Sequence, residues 1–211
     1  MWKCAIDLSS YLVTHRGTRA MEEFYHIVRE SAKGGVTVVQ LRDDDPSTQK
    51  VIAMGKELHS FLRPMGIPLI INDRVDIAPA IGAEGVHLGQ SDLSVSQARA
   101  ILGWDAIIGL SVENMDQAFQ AEEEPVNYIA ASPVFPSTTK LDCAPPWGLA
   151  GLKRLCSFSR HPVVAIGGIN NSNAKEIAEC GAAGVALVSA IFNAACPRTA
   201  ANEIHRSFYG M

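Results

Sequence analysis

The sequence predicts an α/β protein whose eight parallel strands close into a (β/α)8 barrel, the TIM-barrel fold. Eight short apolar runs rich in β-branched residues recur along the 211 residues, and segments of helical periodicity separate them. This alternation favours a parallel sheet, and about 26 residues per β–α unit leave room for a helix and two short loops. An open flavodoxin-like or Rossmann sheet is the competing architecture.

The eight runs are continuously apolar, which is typical of strands covered on both faces. Each has the length of an ordinary strand, and a polar or glycine-containing segment follows it. We predict strands at residues 11–14, 36–41, 68–71, 85–88, 106–110, 128–131, 162–166 and 184–188.

The intervening segments repeat apolar residues every three or four positions, as amphipathic helices do. The first, at residues 18–33, carries Met21, Phe24 and Val28 at this spacing, and glycines follow several of the segments, where a helix can end. We predict further helices at 47–61, 94–102, 115–123, 149–156, 173–180 and 199–208, whereas 75–81 is long enough for only one or two turns. No linker or low-complexity stretch divides the chain, so we expect residues 1–211 to form a single compact domain.

Composition and charge argue against several classes of function. The chain has 18 Lys and Arg against 22 Asp and Glu, a net charge of −4, so no global basic field would hold nucleic acid or an anionic membrane. No apolar run approaches the roughly 20 residues that span a bilayer, and the first residues lack the apolar region of a signal peptide, so we expect a cytoplasmic protein. The five cysteines include no C-x-x-C pair, which argues against a zinc site or a disulfide framework.

Polar residues concentrate at the carboxyl ends of the predicted strands, where the active site of a TIM barrel lies. Hydroxyls and a lysine at Ser137, Thr139 and Lys140 suit phosphate or pyrophosphate, although a solvated turn would have the same composition. Gly168 and Ser189 follow the seventh and eighth strands, the recurrent phosphate site of this fold.

Two aspartates follow neighbouring strands three and four, so their carboxylates can face one point. Asp73 and Asp92 near phosphate groups suggest Mg²⁺, which takes one or two protein carboxylates and completes its octahedron with water and phosphate oxygens. The alternative is a pair of helix N-caps, or salt bridges to Arg42 or Arg74.

Taken in order, these motifs resemble the thiamine-phosphate synthase (thiamine-phosphate pyrophosphorylase) family over residues 8–208. The resemblance rests on their order and spacing, since no single string is diagnostic. The strings are Tyr11-Leu-Val-Thr14, Val39-Gln-Leu-Arg42, Ile71-Asn-Asp-Arg-Val-Asp76, Gly85-Val-His-Leu-Gly-Gln-Ser-Asp92, Gly109-Leu-Ser111, Tyr128 to Lys140, Ala165-Ile-Gly-Gly-Ile169 and Val188-Ser-Ala190.

The resemblance implies a Mg²⁺-dependent transferase that joins hydroxymethylpyrimidine pyrophosphate to hydroxyethylthiazole phosphate. Pyrophosphate would leave to give a pyrimidine carbocation, which the thiazole nitrogen captures to form thiamine phosphate. By the same resemblance Gln40 and Asn72 would hold the pyrimidine, and Asp73 and Asp92 the Mg²⁺. The pyrophosphate would be bound by Arg42, Ser111, Ser137, Thr139 and Lys140, and the thiazole phosphate by Gly168, Val188 and Ser189, with Arg42, Ser111 and Lys140 as the catalytic residues.

The sequence departs from the family pattern at the end of the second strand. The family usually has Gln-x-Arg-x-Lys there, whereas this chain has Asp44 in place of the lysine. An anion instead of a cation beside the leaving group could weaken transition-state binding by roughly 2–4 kcal/mol, or about 10²–10³ in rate. A milder departure is that Ala130 and Ser132 stand where the family usually has glycines.

Two other functions stay open from the sequence. The family includes a thiazole tautomerase branch, which isomerises the thiazole phosphate. That branch has a histidine two residues after the serine of the fifth strand, and this chain has Glu113 there, a residue that could act as a base. A non-catalytic binder of thiamine phosphate is the other alternative. The sequence leaves open a homo-oligomer, and whether Trp147 closes over the site or docks its loop.

Overall fold

The computed structural model describes residues 6–43, 45–136 and 144–210. Its eight strands pair in chain order, every pairing is parallel, and the first strand also pairs with the eighth. The predicted (β/α)8 barrel is therefore confirmed, and the open-sheet alternative is excluded because both edge strands are paired to each other.

Each strand is short and buried. The strands are β1 (Ser10–Val13), β2 (Val38–Leu41), β3 (Leu69–Asn72), β4 (Gly85–Leu88), β5 (Ile107–Val112), β6 (Tyr128–Ala131), β7 (Val163–Ile166) and β8 (Gly184–Leu187). The helices are α1 (Met21–Lys33), α2 (Thr48–Leu62), α3 (Ala78–Ile81), α4 (Val95–Leu102), α5 (Met115–Ala121), α6 (Gly148–Phe158), α7 (Ala174–Glu179), α8 (Ser189–Phe192) and α9 (Pro197–Tyr209). In the part of the chain that the structure describes, none of these helices combines the length and apolar character that crossing a bilayer requires.

Successive side chains of each strand point to opposite faces, although the sequence of the strands is continuously apolar. One set, which includes Tyr11, Ile70 and Tyr128, fills the barrel interior as a separate cluster. The other set, which includes Leu12, Ile71 and Ile129, packs against the surrounding helices. This alternation decides which residues can reach a ligand, because only the inward set continues into the carboxyl end of the barrel.

The seam between β1 and β8 depends on a residue without a side chain. A Cβ atom built on Gly184 would collide with the backbone carbonyl of Leu8, and backbone cannot move aside as a flexible side chain can. Glycine at this position therefore lets the first and last strands approach closely enough to close the barrel.

A single arginine connects the loops that precede β5 and β6. The Arg99 guanidinium on α4 donates hydrogen bonds to the carbonyl oxygens of Ala106 (2.6 Å) and Pro125 (2.8 Å) and to the Asn127 side chain (2.8 Å). The side chain is buried, so these loop carbonyls have a charged donor in place of water.

The structure corrects two details near the predicted site. β5 extends to Val112, so Ser111 lies within the strand rather than after it. Val188, predicted to end β8, instead precedes α8, a one-turn helix that the sequence analysis did not predict. The helix forms there because Ile191 and Phe192 are buried against the core, which a continued strand would not allow.

Candidate active site

A cavity of about 530 Å³ opens at the carboxyl ends of the strands. Its walls come from all eight strands and from several of the loops that follow them, so residues far apart in sequence meet there. Seven of the predicted site residues line it: Gln40, Arg42, Asn72, Asp73, Asp92, Ser111 and Val188. The cavity therefore brings the predicted pyrimidine and metal residues into one space with two of the predicted pyrophosphate residues, Arg42 and Ser111.

Polar and apolar residues occupy different parts of this cavity. The inward side chains of the last three strands and of β1 supply an apolar wall. The charged groups come from the loops after β2, β3 and β4 and from Glu113 after β5. A ligand with an anionic part and a flat apolar part matches this division. The apolar wall consists of Val13, Ala130, Val164, Ile166 and Ala186.

The two aspartates face each other across the mouth of the cavity. Loss of hydration and the adjacent Asp92 carboxylate raise the pKa of Asp73 to about 6, while Arg42 acts in the opposite direction. Asp92 is held by the backbone N–H of Gly89, which donates to its Oδ2 at 2.6 Å. Asp73 has a left-handed backbone (φ 59°), which turns the chain at the end of β3.

These carboxylates fit a hard divalent cation. Desolvation and the like charge of Asp92 both make the ionised Asp73 carboxylate costly, and a bound cation would offset that cost. Within residues 6–43, 45–136 and 144–210, no cluster of three or more His, Cys, Asp or Glu side chains forms a metal site. A two-carboxylate site suits Mg²⁺, which keeps water and phosphate oxygens as its other ligands.

A row of hydrogen-bonded side chains crosses the barrel beneath the cavity. Tyr11 contacts Gln40 and Tyr128, and His87 contacts Tyr128 and Ser111. Tyr11, Tyr128 and His87 are not among the site residues predicted from the sequence. The alternation of side chains along a strand could have identified them. Every second residue of a strand points into the barrel, so these residues lie on the same face as the polar residues nearer the strand ends.

Gly168 and Ser189, the predicted phosphate residues, do not line this cavity. They follow β7 and β8, and the carbonyl oxygen of Gly168 accepts a hydrogen bond from Asn173 Nδ2 at 3.0 Å. Gly168 has a positive φ of 66°, and a Cβ there would lie 2.8 Å from Phe135 Cβ. The glycine is therefore required by the loop after β6, whatever ligand it also meets.

An arginine that the sequence analysis did not select holds the acidic stretch after β2. Arg16 Nε donates to Asp43 at 2.9 Å, and its guanidinium lies 3.6 Å from Asp45. Asp44, the residue in place of the usual lysine, lies outside the described residues. The acids on either side of it are thus neutralised by Arg16 and not by Arg42.

Three predicted pyrophosphate residues, Ser137, Thr139 and Lys140, also lie outside the described residues. In the described residues just before α6, Trp147 donates from its indole Nε1 to the carbonyl oxygen of Val112 at 3.2 Å. Trp147 is partly buried and packs against the core. Of the two roles considered, closing over the site or docking its loop, this contact favours docking at the start of α6.

A closed parallel barrel with a charged cavity at the carboxyl ends of its strands is the architecture of a TIM-barrel enzyme. The family model described as thiamine monophosphate synthase matches residues 10–191, and the chain belongs to that family. A thiamine-phosphate synthase of Albidiferax ferrireducens is 45% identical over 199 residues, 94% of this chain and 91% of that protein. One of Azorhizobium caulinodans is 46% identical over 88% of this chain and 87% of the relative.

A solved structure agrees with these sequence relatives. Thiamine phosphate pyrophosphorylase from Pyrococcus furiosus superposes with a TM-score of 0.89 at 34% identity, and the match covers 98% of both chains. The family expected from the sequence motifs is therefore confirmed.

Proposed function

We infer that this chain is a transferase that condenses hydroxymethylpyrimidine pyrophosphate with hydroxyethylthiazole phosphate, giving thiamine phosphate and pyrophosphate. Family membership gives the reaction class. The observation that carries the inference is the division of the cavity into an apolar wall and a charged side formed by Arg42, Asp73 and Asp92, with the amides of Gln40 and Asn72 in the same lining. That division matches a substrate with a flat ring at one end and a pyrophosphate at the other.

The chemistry requires stabilisation of a leaving anion. The bond between the pyrimidine methylene carbon and the pyrophosphate oxygen breaks, and its electron pair leaves with the pyrophosphate. The thiazole nitrogen then donates its lone pair to the methylene carbon. Arg42 and Ser111 line the cavity where they can donate hydrogen bonds to the departing oxygens. We assign Ser137, Thr139 and Lys140 to the same anion, because the family places them there.

The apolar wall protects the cationic carbon between these two steps. Water would capture a carbocation and give an alcohol, whereas the side chains of Val164, Ile166 and Ala186 carry no group that could attack it. No proton has to be removed from carbon in this reaction. This agrees with the neutral His87, whose pKa burial lowers to about 4 and whose two ring nitrogens are both hydrogen-bonded.

We assign Mg²⁺ to Asp73 and Asp92. When bound, the ion would neutralise charge on the leaving pyrophosphate. The protein's own part is to hold the two carboxylates together through the turn at Asp73 and the Gly89 N–H. We assign the thiazole phosphate to Gly168, Val188 and Ser189, which follow β7 and β8. A cytoplasmic location and a homo-oligomer stay predictions.

One observation favours a second function. Glu113 lines the cavity, so a thiazole-phosphate isomerase with Glu113 as the base is the alternative enzyme. Such an enzyme would turn over one substrate without pyrophosphate and without Mg²⁺.

The test is pyrophosphate release and thiamine phosphate formation with both substrates, each substrate alone, and with or without Mg²⁺. We expect product only with both substrates and Mg²⁺, and a roughly 10²–10³-fold loss of kcat/KM in Arg42→Gln. The matched control is Arg74→Gln, because Arg74 is exposed and pairs with Asp76 outside the cavity. Isomerisation of thiazole phosphate alone would favour the second function. Thiamine phosphate binding without any turnover would overturn both enzymatic functions.

The same assay measures the effect of the departure at Asp44. If the native protein is inactive and Asp44→Lys is active, the site is intact and the chain has lost the reaction. If the native protein is active, the acid is compatible with catalysis and the proposed function stands.

A further inference from the structure

Five side chains form one continuous hydrogen-bonded row through the barrel interior. Gln40 Nε2 lies 2.9 Å from Tyr11 Oη, which lies 2.7 Å from Tyr128 Oη. Tyr128 Oη lies 3.0 Å from His87 Nδ1, and His87 Nε2 lies 2.9 Å from Ser111 Oγ. The row therefore joins Gln40, assigned to the pyrimidine, to Ser111, assigned to the pyrophosphate.

One set of directions gives every proton within the row an acceptor. An amide nitrogen only donates, so Tyr11 Oη accepts from Gln40, and Tyr128 Oη is the acceptor in the row for the single hydroxyl proton of Tyr11. Tyr128 Oη then accepts from Tyr11, so its own proton goes to His87 Nδ1. A neutral imidazole that accepts at Nδ1 carries its proton on Nε2, and it donates that proton to Ser111 Oγ.

Burial keeps the three middle groups neutral, which this counting requires. Tyr11 and Tyr128 are almost completely buried, and desolvation raises the pKa of both phenols. His87 is buried too, and its two ring nitrogens face the hydroxyls of Tyr128 and Ser111, so the arrangement fits a neutral ring with one donor and one acceptor nitrogen. An imidazolium, with two donors, would break the row at Tyr128 or reverse it.

We infer that this row is polarised from Gln40 to Ser111, with His87 fixed as the Nε2–H tautomer, so that each end presents one defined group to the substrate. Because Ser111 Oγ already accepts from His87, its own proton is free for donation to an anion. Because Gln40 donates from Nε2 to Tyr11 in the barrel interior, its Oε1 is left to accept from an amine on the ring of the substrate. The second Nε2 proton of Gln40 is left for a ring nitrogen.

This inference rests on the proposed function for the identity of the two ligands and adds a cause of specificity to it. The reverse polarity would make Ser111 donate to His87 and present oxygen lone pairs to the pyrophosphate. It would also turn the Gln40 carbonyl away from the amine. Tyr11, Tyr128 and His87 are thus positioning residues, which act on the substrate through the two ends.

A glycine makes the middle of the row possible. Gly109 on β5 lies in register between His87 on β4 and Tyr128 on β6. A Cβ at Gly109 would fall 2.6 Å from His87 Nδ1 and even closer to the Tyr128 ring. Any side chain there would separate the phenol from the imidazole. The Tyr128 and His87 rings instead stack across Gly109 with their centroids 5.6 Å apart.

The decisive measurement is a long-range ¹H–¹⁵N spectrum of the free protein labelled with ¹⁵N-histidine, recorded at pH 7.5. Protonated and unprotonated ring nitrogens differ in shift, so the spectrum identifies the tautomer. His87→Asn assigns the signal by its loss. We expect a neutral ring with the proton on Nε2. A ring with the proton on Nδ1, or a doubly protonated ring, would overturn the inference.

The variant Tyr128→Phe tests whether the row fixes the tautomer. Without the phenol proton, His87 Nδ1 loses its donor, and we expect the spectrum to move toward a mixture of both tautomers. We also expect kcat for pyrophosphate release to fall about 10–100-fold with little change in KM for the pyrimidine. Tyr25→Phe, a tyrosine of α1 outside the barrel interior, is the matched control and should leave both unchanged. An unchanged His87 spectrum in Tyr128→Phe would contradict the inference.

These readouts separate the inference from the proposed function. The spectrum needs no substrate, so an Nε2–H ring in a protein that releases no pyrophosphate would overturn the function and support the polarity. Normal pyrophosphate release with an Nδ1–H ring would overturn the polarity alone.

Discussion

Replacing Asp73 by asparagine should make the metal-free protein more stable at alkaline pH. Loss of hydration and the neighbouring Asp92 carboxylate raise the pKa of Asp73 from its ordinary 3.8 to about 6. A folded-state pKa above the unfolded value means that the folded protein prefers the protonated acid. The stability that this preference supplies is present at low pH and is lost as the pH rises through about 6.

The magnitude follows from the pKa shift and the exposure of the side chain. Two pKa units would correspond to roughly 3 kcal/mol for a fully dry group. More than a third of Asp73 is exposed, so solvent screens the repulsion, and we expect a gain of about 0.5–1.5 kcal/mol at pH 8. For a chain of this size that raises Tm by roughly 1–5 °C. Asparagine keeps the shape and tolerates the left-handed backbone at this position.

The assay is urea unfolding in EDTA at pH 8 and pH 4.5, with Asp105→Asn as the control because Asp105 is an exposed carboxylate far from the cavity. The gain in Asp73→Asn should shrink at pH 4.5, since the native Asp73 is then mostly protonated. With saturating Mg²⁺ the native protein should become the more stable of the two, because only it retains both carboxylates. An equal gain in Asp105→Asn, or a gain that does not depend on pH, would refute the reasoning.

Two further changes test the framework of the barrel. Arg99→Met should lower the free energy of unfolding by about 2–4 kcal/mol, because the carbonyls of Ala106 and Pro125 lose a buried charged donor. Chemical denaturation measures the effect, and Arg154→Met on α6 is the control. Gly184→Ala should prevent closure of the β1–β8 seam, and circular dichroism and gel filtration should show loss of the compact fold; a variant that unfolds like the native protein would contradict the argument from the Cβ clash.

The fold could be predicted from the sequence because the eight apolar runs and the helical segments repeat along the whole chain. Strand pairing then needed no further information, since βαβ units place consecutive strands side by side. The end of β8 could not be predicted, because Val188 is as suitable for a strand as its neighbours. Burial of Ile191 and Phe192 by tertiary packing decides in favour of the short helix.

The candidate site was predictable only where polar residues interrupt apolar runs. Gln40 and Ser111 stand out in the sequence, whereas Tyr11 and Tyr128 have the appearance of ordinary core aromatics. Their role depends on which face of the strand they occupy and on the register between strands, and a continuously apolar strand hides both. Arg16 was missed for a related reason, since its partner Asp43 is distant in sequence and is identified only by contact.

The charge of the cavity connects the departure at Asp44 with the proposed metal. Among the described residues that line the cavity, Arg42 is the one Lys or Arg side chain, and it stands against the carboxylates of Asp73, Asp92 and Glu113. Such a surface repels a pyrophosphate until cations are added. A divalent cation at Asp73 and Asp92 reverses the sign locally, and Lys140 supplies a further positive charge in the family's arrangement. Because this chain has an acid at position 44 where the family pattern has a lysine, we expect its reaction to depend more strongly on Mg²⁺ and on Lys140 than the usual pattern would.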